Sequence, residues 1–131
     1  MSGQVVILGG PRSGKTTLSE ELGIENVYHT DDLISKYGWT EASDIVAGWM
    51  NVPGPWIVEG TIAVRGLRKF LALHEGIKPC DKVIFRSESY VKLTSQQQNM
   101  ADGIETIFSE IVQNLIDLDV EVRVDMGYVV Q

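Results

Sequence analysis

Hydrophobic and polar positions along the 131-residue chain change period several times, and each change marks an element. Val5–Leu8 is an unbroken apolar run bounded by glycine, which predicts a buried strand. The sequence KTTLSEEL, from Lys15 to Leu22, then opens a helix, and Gly23 suits the left-handed position that ends one. A short second strand is expected at Asn26–His29. Ala42, Ile45, Val46 and Trp49 share one face of a helix expected to run from Thr40, its cap, to Met50. NVPGP is a turn by composition, and WIVEG after it predicts a third strand that ends on an acid.

Between Thr61 and Glu75, Leu67, Phe70, Leu71 and His74 recur at helical spacing. Gly66 weakens that helix and Gly76 ends it. KVIF predicts a fourth buried strand. Asp102 is the expected cap of an amphipathic helix carrying Ile104, Ile107, Phe108, Ile111, Leu115 and Ile116 on one side. Last, Val120, Val122 and Val124 alternate with Glu121, Arg123 and Asp125, a strand with one wet face that suits a sheet edge. Strands alternating with helices predict a mostly parallel sheet with right-handed crossovers and helices on both faces, a three-layer α/β/α single domain over residues 1–131. Ligands of such sheets bind at the carboxyl ends of the strands. The loop at Gly9, HTDD and EGT all fall there.

Composition narrows this modestly. Hydrophobic residues make up 44% and charged residues 22%, as in soluble globular domains. No apolar run is long enough to cross a membrane, and the first residues do not form a basic-then-apolar leader. Cys80 is the single cysteine and has no partner for an internal disulfide. Together these set the expectation of a cytoplasmic protein. The net charge of −7 argues against general nucleic-acid binding, while leaving room for a local phosphate pocket.

The most specific stretch is Gly9–Thr17, GGPRSGKTT, which fits G-x-x-x-x-G-K-[ST] through Gly9, Gly14, Lys15 and Thr16. Glycines permit positive φ and let backbone N–H groups approach an anion without an intervening Cβ. The helix that follows adds partial positive charge at its start. Lys15 is expected to reach the β- and γ-phosphates and the Thr16 hydroxyl to coordinate Mg²⁺. The whole run, Gly9, Gly10, Pro11, Arg12, Ser13, Gly14, Lys15, Thr16 and Thr17, is therefore read as nucleotide-binding. Within it Arg12 either touches a phosphate or turns outward to pair with an acid. A glycine-rich turn with no ligand is the bland alternative; the strand before it and the helix after it favour phosphate.

With that opening, and with weaker echoes at HTDDL, WIVEGT and DKVIF, the chain resembles the small P-loop kinases of the adenylate-kinase and shikimate-kinase type. The resemblance implies the P-loop NTPase fold, with five strands in the order 2-3-1-4-5. It also implies ATP and Mg²⁺ as phosphoryl donor, and a small-molecule acceptor held between the ends of the second and third strands. It assigns Gly9, Gly14, Lys15 and Thr16 to the phosphate loop. Asp31 or Asp32 becomes the acid at the acceptor hydroxyl or metal shell, Glu59 the acid acting through Mg²⁺ or its waters, and Arg65 or Arg68 the arginine holding the acceptor. Such kinases also close a lid that delivers arginines to the transferring group. The corresponding stretch here, RSESYVKLTSQQQNMADG, offers Arg86 and Lys92 as its cations.

Each residue also has a plainer reading. Asp31 and Asp32 suit caps for a helix starting at Leu33, and Glu59 an ordinary acid at a strand end. Arg65, Arg68 and Lys69 form a basic cluster of the kind that is usually a solvated face. His29 and His74 lack metal-ligand partners at useful spacing and are read as structural. Cys80 has no nucleophile context, and Trp39, Trp49 and Trp56 are read as core and rim packing, with one of them near the acceptor cleft left open as a stacking platform. The expected activity is ATP- and Mg²⁺-dependent phosphoryl transfer to a nucleoside, a nucleotide or a hydroxylated metabolite. A nucleotide-binding regulatory module and a simple NTPase are the alternatives.

Overall fold

Five short segments pair side by side, all parallel, to make one sheet. The computed structural model describes residues 3–9, 23–24, 26–86 and 94–125. In chain order these hold β1 (Gln4–Gly9), β2 (Val27–His29), α1 (Asp31–Trp49), β3 (Trp56–Glu59), α2 (Ala63–Leu73), β4 (Lys82–Arg86), α3 (Ser95–Asp117) and β5 (Glu121–Asp125). The strand order is β2-β3-β1-β4-β5, as expected.

Burial explains that order. Val6, Ile7 and Leu8 of β1, Ile57 and Val58 of β3, and Val83 and Ile84 of β4 are wholly buried, so these continuous apolar strands take the centre. The alternating strand β5 takes one edge and the three-residue β2 the other. On β5's approach Val120 is buried, Val122 is half-buried and Val124 is exposed, so the alternation loses its dry side toward the strand's end. At the amino ends of the strands, Asp81 ties three of them together. Its Oδ2 accepts from the Gln4 N–H at 3.0 Å, its own N–H donates to the Gln4 carbonyl, and its carbonyl accepts from the Glu121 N–H.

One core cluster joins all three described helices to the sheet face formed by Val6, Leu8, Val58, Val83 and Phe85. The opposite face, Val5, Ile7, Ile57 and Ile84, is equally buried, with Ile24 and Val27 packed on it. The expected helix from Lys15 to Leu22 lies outside the described residues, so the expected helix layer on that face has no described counterpart.

Two helix starts differ from the sequence reading. α1 is two helical stretches joined across a break at Gly38, whose φ of 75° only glycine adopts without strain. The stretch after the break agrees with the helix expected from Thr40 to Met50, and the stretch before it begins at Asp31 rather than Leu33. The cap position is Thr30, not Asp31 or Asp32, which are the first two residues of the helix. α3 begins seven residues before Asp102, at a capping box: Gln97 N–H donates to Thr94 Oγ1 at 3.2 Å and Thr94 N–H donates to Gln97 Oε1 at 3.0 Å. The third helix, α2, falls inside its expected span, and there Gly66 has a use. A Cβ on Gly66 would stand 2.3 Å from Val46 Cγ1, so the glycine lets α2 approach α1 closely.

The aromatic residues follow their expected roles in part. Trp56 is buried, with its indole N–H donating to the Val52 carbonyl at 2.6 Å. Trp49 stacks on Tyr28 at 5.0 Å between centroids, and His74 packs on Phe70 at 4.6 Å. Trp39 is 39% exposed and belongs to neither group. Among the described residues no helix is long and apolar enough to cross a membrane.

Candidate functional site

Parallel register brings several polar residues to the same edge of the sheet. His29 is the register partner of Glu59, Glu59 of Ile7, and Gly9 of Arg86. The carboxyl ends of β2 and β3 thus carry His29 beside Glu59 and, two residues further along, β1 and β4 carry Gly9 beside Arg86. Glu59 and Arg86 are buried, which is uncommon for charged residues unless they are paired.

Glu59 is held from one side by His29, whose Nδ1 contacts its Oε1. The imidazole is 44% exposed and the carboxylate 6%, so the pair spans from solvent to interior. Reading His29 as structural missed this contact. The signal was present in the spacing of VYH and WIVE, but only strand register reveals it. The backbone reinforces the junction: Thr30 N–H donates to the Glu59 carbonyl at 2.8 Å. Thr30 is fully buried, and its hydroxyl has no hydrogen-bond partner among the described residues. Asp31 and Asp32 follow immediately at the start of α1, where the helix dipole favours acids, but their side chains lie outside what is described.

The basic cluster on α2 splits into separate roles. Arg68 reaches Glu110 on α3 at 3.6 Å, and both side chains are exposed, so the pair contributes little. Lys69 bonds Asp44 Oδ1 at 2.6 Å and the Thr40 carbonyl at 3.2 Å, tying α2 to α1. Arg65 instead lies over the Trp39 ring, 5.4 Å from its centroid. These two residues line a cavity of about 270 Å³ with Thr61, Asn99, Gly103 and Ile107. Arg65 and Arg68, offered as equal candidates by the sequence, are therefore distinguished: Arg65 lines this cavity and Arg68 does not.

Cys80 sits at the other end of the sheet, beside Asp81, and is buried. Burial first, and the Asp81 charge second, push its thiol up to about 12, which agrees with its reading as no nucleophile. Gly10, Pro11, Arg12, Ser13, Gly14, Lys15, Thr16 and Thr17 lie outside the described residues, as does Lys92. Among the described residues no three His, Cys, Asp or Glu side chains converge on one point. A Mg²⁺ bound with a nucleotide does not need such a cage, because phosphate oxygens and waters fill most of its shell beside one or two carboxylates. Glu59, buried at a strand end beside a hydroxyl unpartnered among the described residues, fits that requirement. No protein-family model matches the chain, and a search of curated proteins finds no match either.

Proposed function

We propose that this protein is a P-loop kinase-type phosphotransferase, moving the γ-phosphoryl group of ATP to a small acceptor with the help of Mg²⁺. The observation that carries the reading is the register that sets Gly9, where the G-x-x-x-x-G-K-[ST] loop begins, beside Arg86 and two residues past the Ile7–Glu59 pair, at the ends of central parallel strands. Open parallel sheets bind nucleotides at that edge. An acid and a base-capable pair there, Glu59 with His29, supply more than simple nucleotide storage needs.

In this reading the loop amides and Lys15 hold the phosphates. Glu59, through water, and Thr16 hold Mg²⁺, which supplies charge neutralisation at the transferring oxygens. The acceptor's hydroxyl oxygen bonds the γ-phosphorus while the bond to the ADP oxygen breaks, and the hydroxyl proton passes to Asp31 or Asp32 at the start of α1. Arg65 orients the acceptor. With Arg86 and Lys92 as the cations of the expected lid stretch, transfer is expected to be slow compared with kinases that deliver several arginines.

The variants Lys15→Ala, Glu59→Gln and Asp31→Asn separate these roles. Calorimetric titration with ATP and Mg²⁺ should show affinity lowered at least about tenfold by Lys15→Ala and changed little by Asp31→Asn. Turnover should fall more than ATP affinity in Asp31→Asn, and the Mg²⁺ requirement should shift in Glu59→Gln. ATP binding that ignores Lys15 would end this reading.

A further inference from the structure

The cavity between α1, α2 and α3 has a chemistry of its own. One wall is the Trp39 indole with the Arg65 guanidinium lying over it, within the reach of a cation–π contact. Ile104 and Ile107, both buried, supply an apolar floor, and Thr61 and Asn99 supply hydrogen-bonding edges. In a chain of net charge −7, the charged side chain that lines this cavity among the described residues, Arg65, is a cation. Thr61 stands two residues past Glu59, so the cavity adjoins the strand ends.

We propose that this cavity binds a single aromatic or heteroaromatic ring bearing a carboxylate or phosphate group. The ring lies against Trp39, the anion takes the Arg65 guanidinium, and Asn99 hydrogen-bonds the ring's polar edge. Flatness follows from the indole wall, since aromatic faces favour stacked partners. Negative charge follows from Arg65, whose planar fork matches carboxylate and phosphate oxygens. Size follows from the volume: about 270 Å³ falls just below the range of pockets that bury drug-sized molecules, so a single substituted ring is enough to fill it. Taking this ligand as the phosphoryl acceptor rests on the kinase reading above; binding itself does not.

Gly103 provides a clean obstruction. It lines the cavity, and a Cβ built on it has open space around it, so Gly103→Leu adds bulk at the cavity wall from a position that accepts a side chain. The test is a nitrogen-15 NMR titration of the full chain without ATP, following the Trp39 indole N–H, assigned with Trp39→Phe. Benzoate and phenyl phosphate distinguish the two anion types. Acetate and inorganic phosphate lack the ring, and benzyl alcohol lacks the charge.

Saturable shifts are expected with benzoate, phenyl phosphate or both, weakened at least about tenfold by Arg65→Gln and abolished by Gly103→Leu. Equal binding of acetate, inorganic phosphate or benzyl alcohol would overturn the proposal. Shifts that persist unchanged in both variants, or no shift with either aromatic anion, would overturn it too. Should Gly103→Leu fail to fold, Arg65→Gln with the ringless controls decides alone. Benzoate binding without any Lys15-dependent phosphoryl transfer would sink the kinase reading and leave this site standing, and the converse would sink the site alone.

Discussion

His29 Nδ1 meets Glu59 Oε1 across two neighbouring parallel strands, at the point where β2 and β3 both end. The contact joins a half-exposed imidazole to a buried carboxylate. Removing the imidazole leaves a buried acceptor without its partner. His29→Ala should therefore lower stability by about 1–3 kcal/mol, and His29→Gln, which keeps an N–H donor, should recover part of it. Urea unfolding measures both. An unchanged midpoint in His29→Ala would show that the pair contributes nothing in solution.

Two helical glycines should respond to the same substitution with opposite signs. Gly66→Ala places a methyl 2.3 Å from Val46 Cγ1 and should destabilise by about 1–3 kcal/mol, in spite of alanine's better helix propensity. Gly103→Ala meets open space and should stabilise by about 0.5–1 kcal/mol. Thermal unfolding of the two variants side by side checks the packing of α1 on α2. Equal effects would contradict it.

The buried thiol of Cys80 gives a pH signature. Its folded value, about 12, lies above the ordinary 9.0, so the unfolded chain loses the proton first as pH rises. This contribution to stability is complete below about pH 9 and declines from there toward about pH 12. Lysines and tyrosines titrate in the same window, so the informative quantity is the difference between the native chain and Cys80→Ala. That difference should shrink as pH rises from about 8 to about 10.5. Thiol reagents should also react with Cys80 only when the chain unfolds. Fast labelling of the folded protein would place the residue at the surface.

Thr94 and Gln97 close the first turn of α3 reciprocally. Thr94→Ala should cost about 1 kcal/mol in global stability and fray the first turn, seen as faster amide exchange at residues 95–98. Asp102→Ala should cost less, because Asp102 lies inside the helix. A larger effect at Asp102 would restore it as the cap.

Much of the fold was legible because buried parallel strands read as unbroken apolar runs. Val5–Leu8, WIVEG and KVIF required no tertiary information, and the order 2-3-1-4-5 came with the resemblance to small P-loop kinases. Boundaries set by polar capping were harder. TSQQ carries the capping-box signature, yet its apolar periodicity begins only at Ile104, and the period led to Asp102. The stretch of α1 before the break was legible only as a helix capped ahead of Leu33, because residues 31–37 show little apolar periodicity and Gly38 interrupts the run. Gly66 was read by propensity, as a weakness, when its role is the approach of a neighbouring helix. At the site, Glu59 stood out by type and position, and Arg65 only together with Arg68. His29 did not, because its partner is thirty residues away and only register brings them together. Arg65 and Arg68 sit one turn apart on α2, and no sequence pattern tells which of them meets Trp39 and which meets Glu110.

Phosphoryl transfer itself is the central claim, and phosphorus NMR addresses it most directly. ATP and Mg²⁺ are incubated with the protein and pools of nucleosides, nucleoside monophosphates, small alcohols and hydroxylated aromatic acids, with Lys15→Ala in parallel. The expected result is a new phosphomonoester or phosphoanhydride resonance, with matching ADP, that is absent from the Lys15→Ala sample. ATP left intact by the native protein, or converted only to ADP and inorganic phosphate with every pool, would contradict the kinase account and favour a nucleotide-binding module or an NTPase.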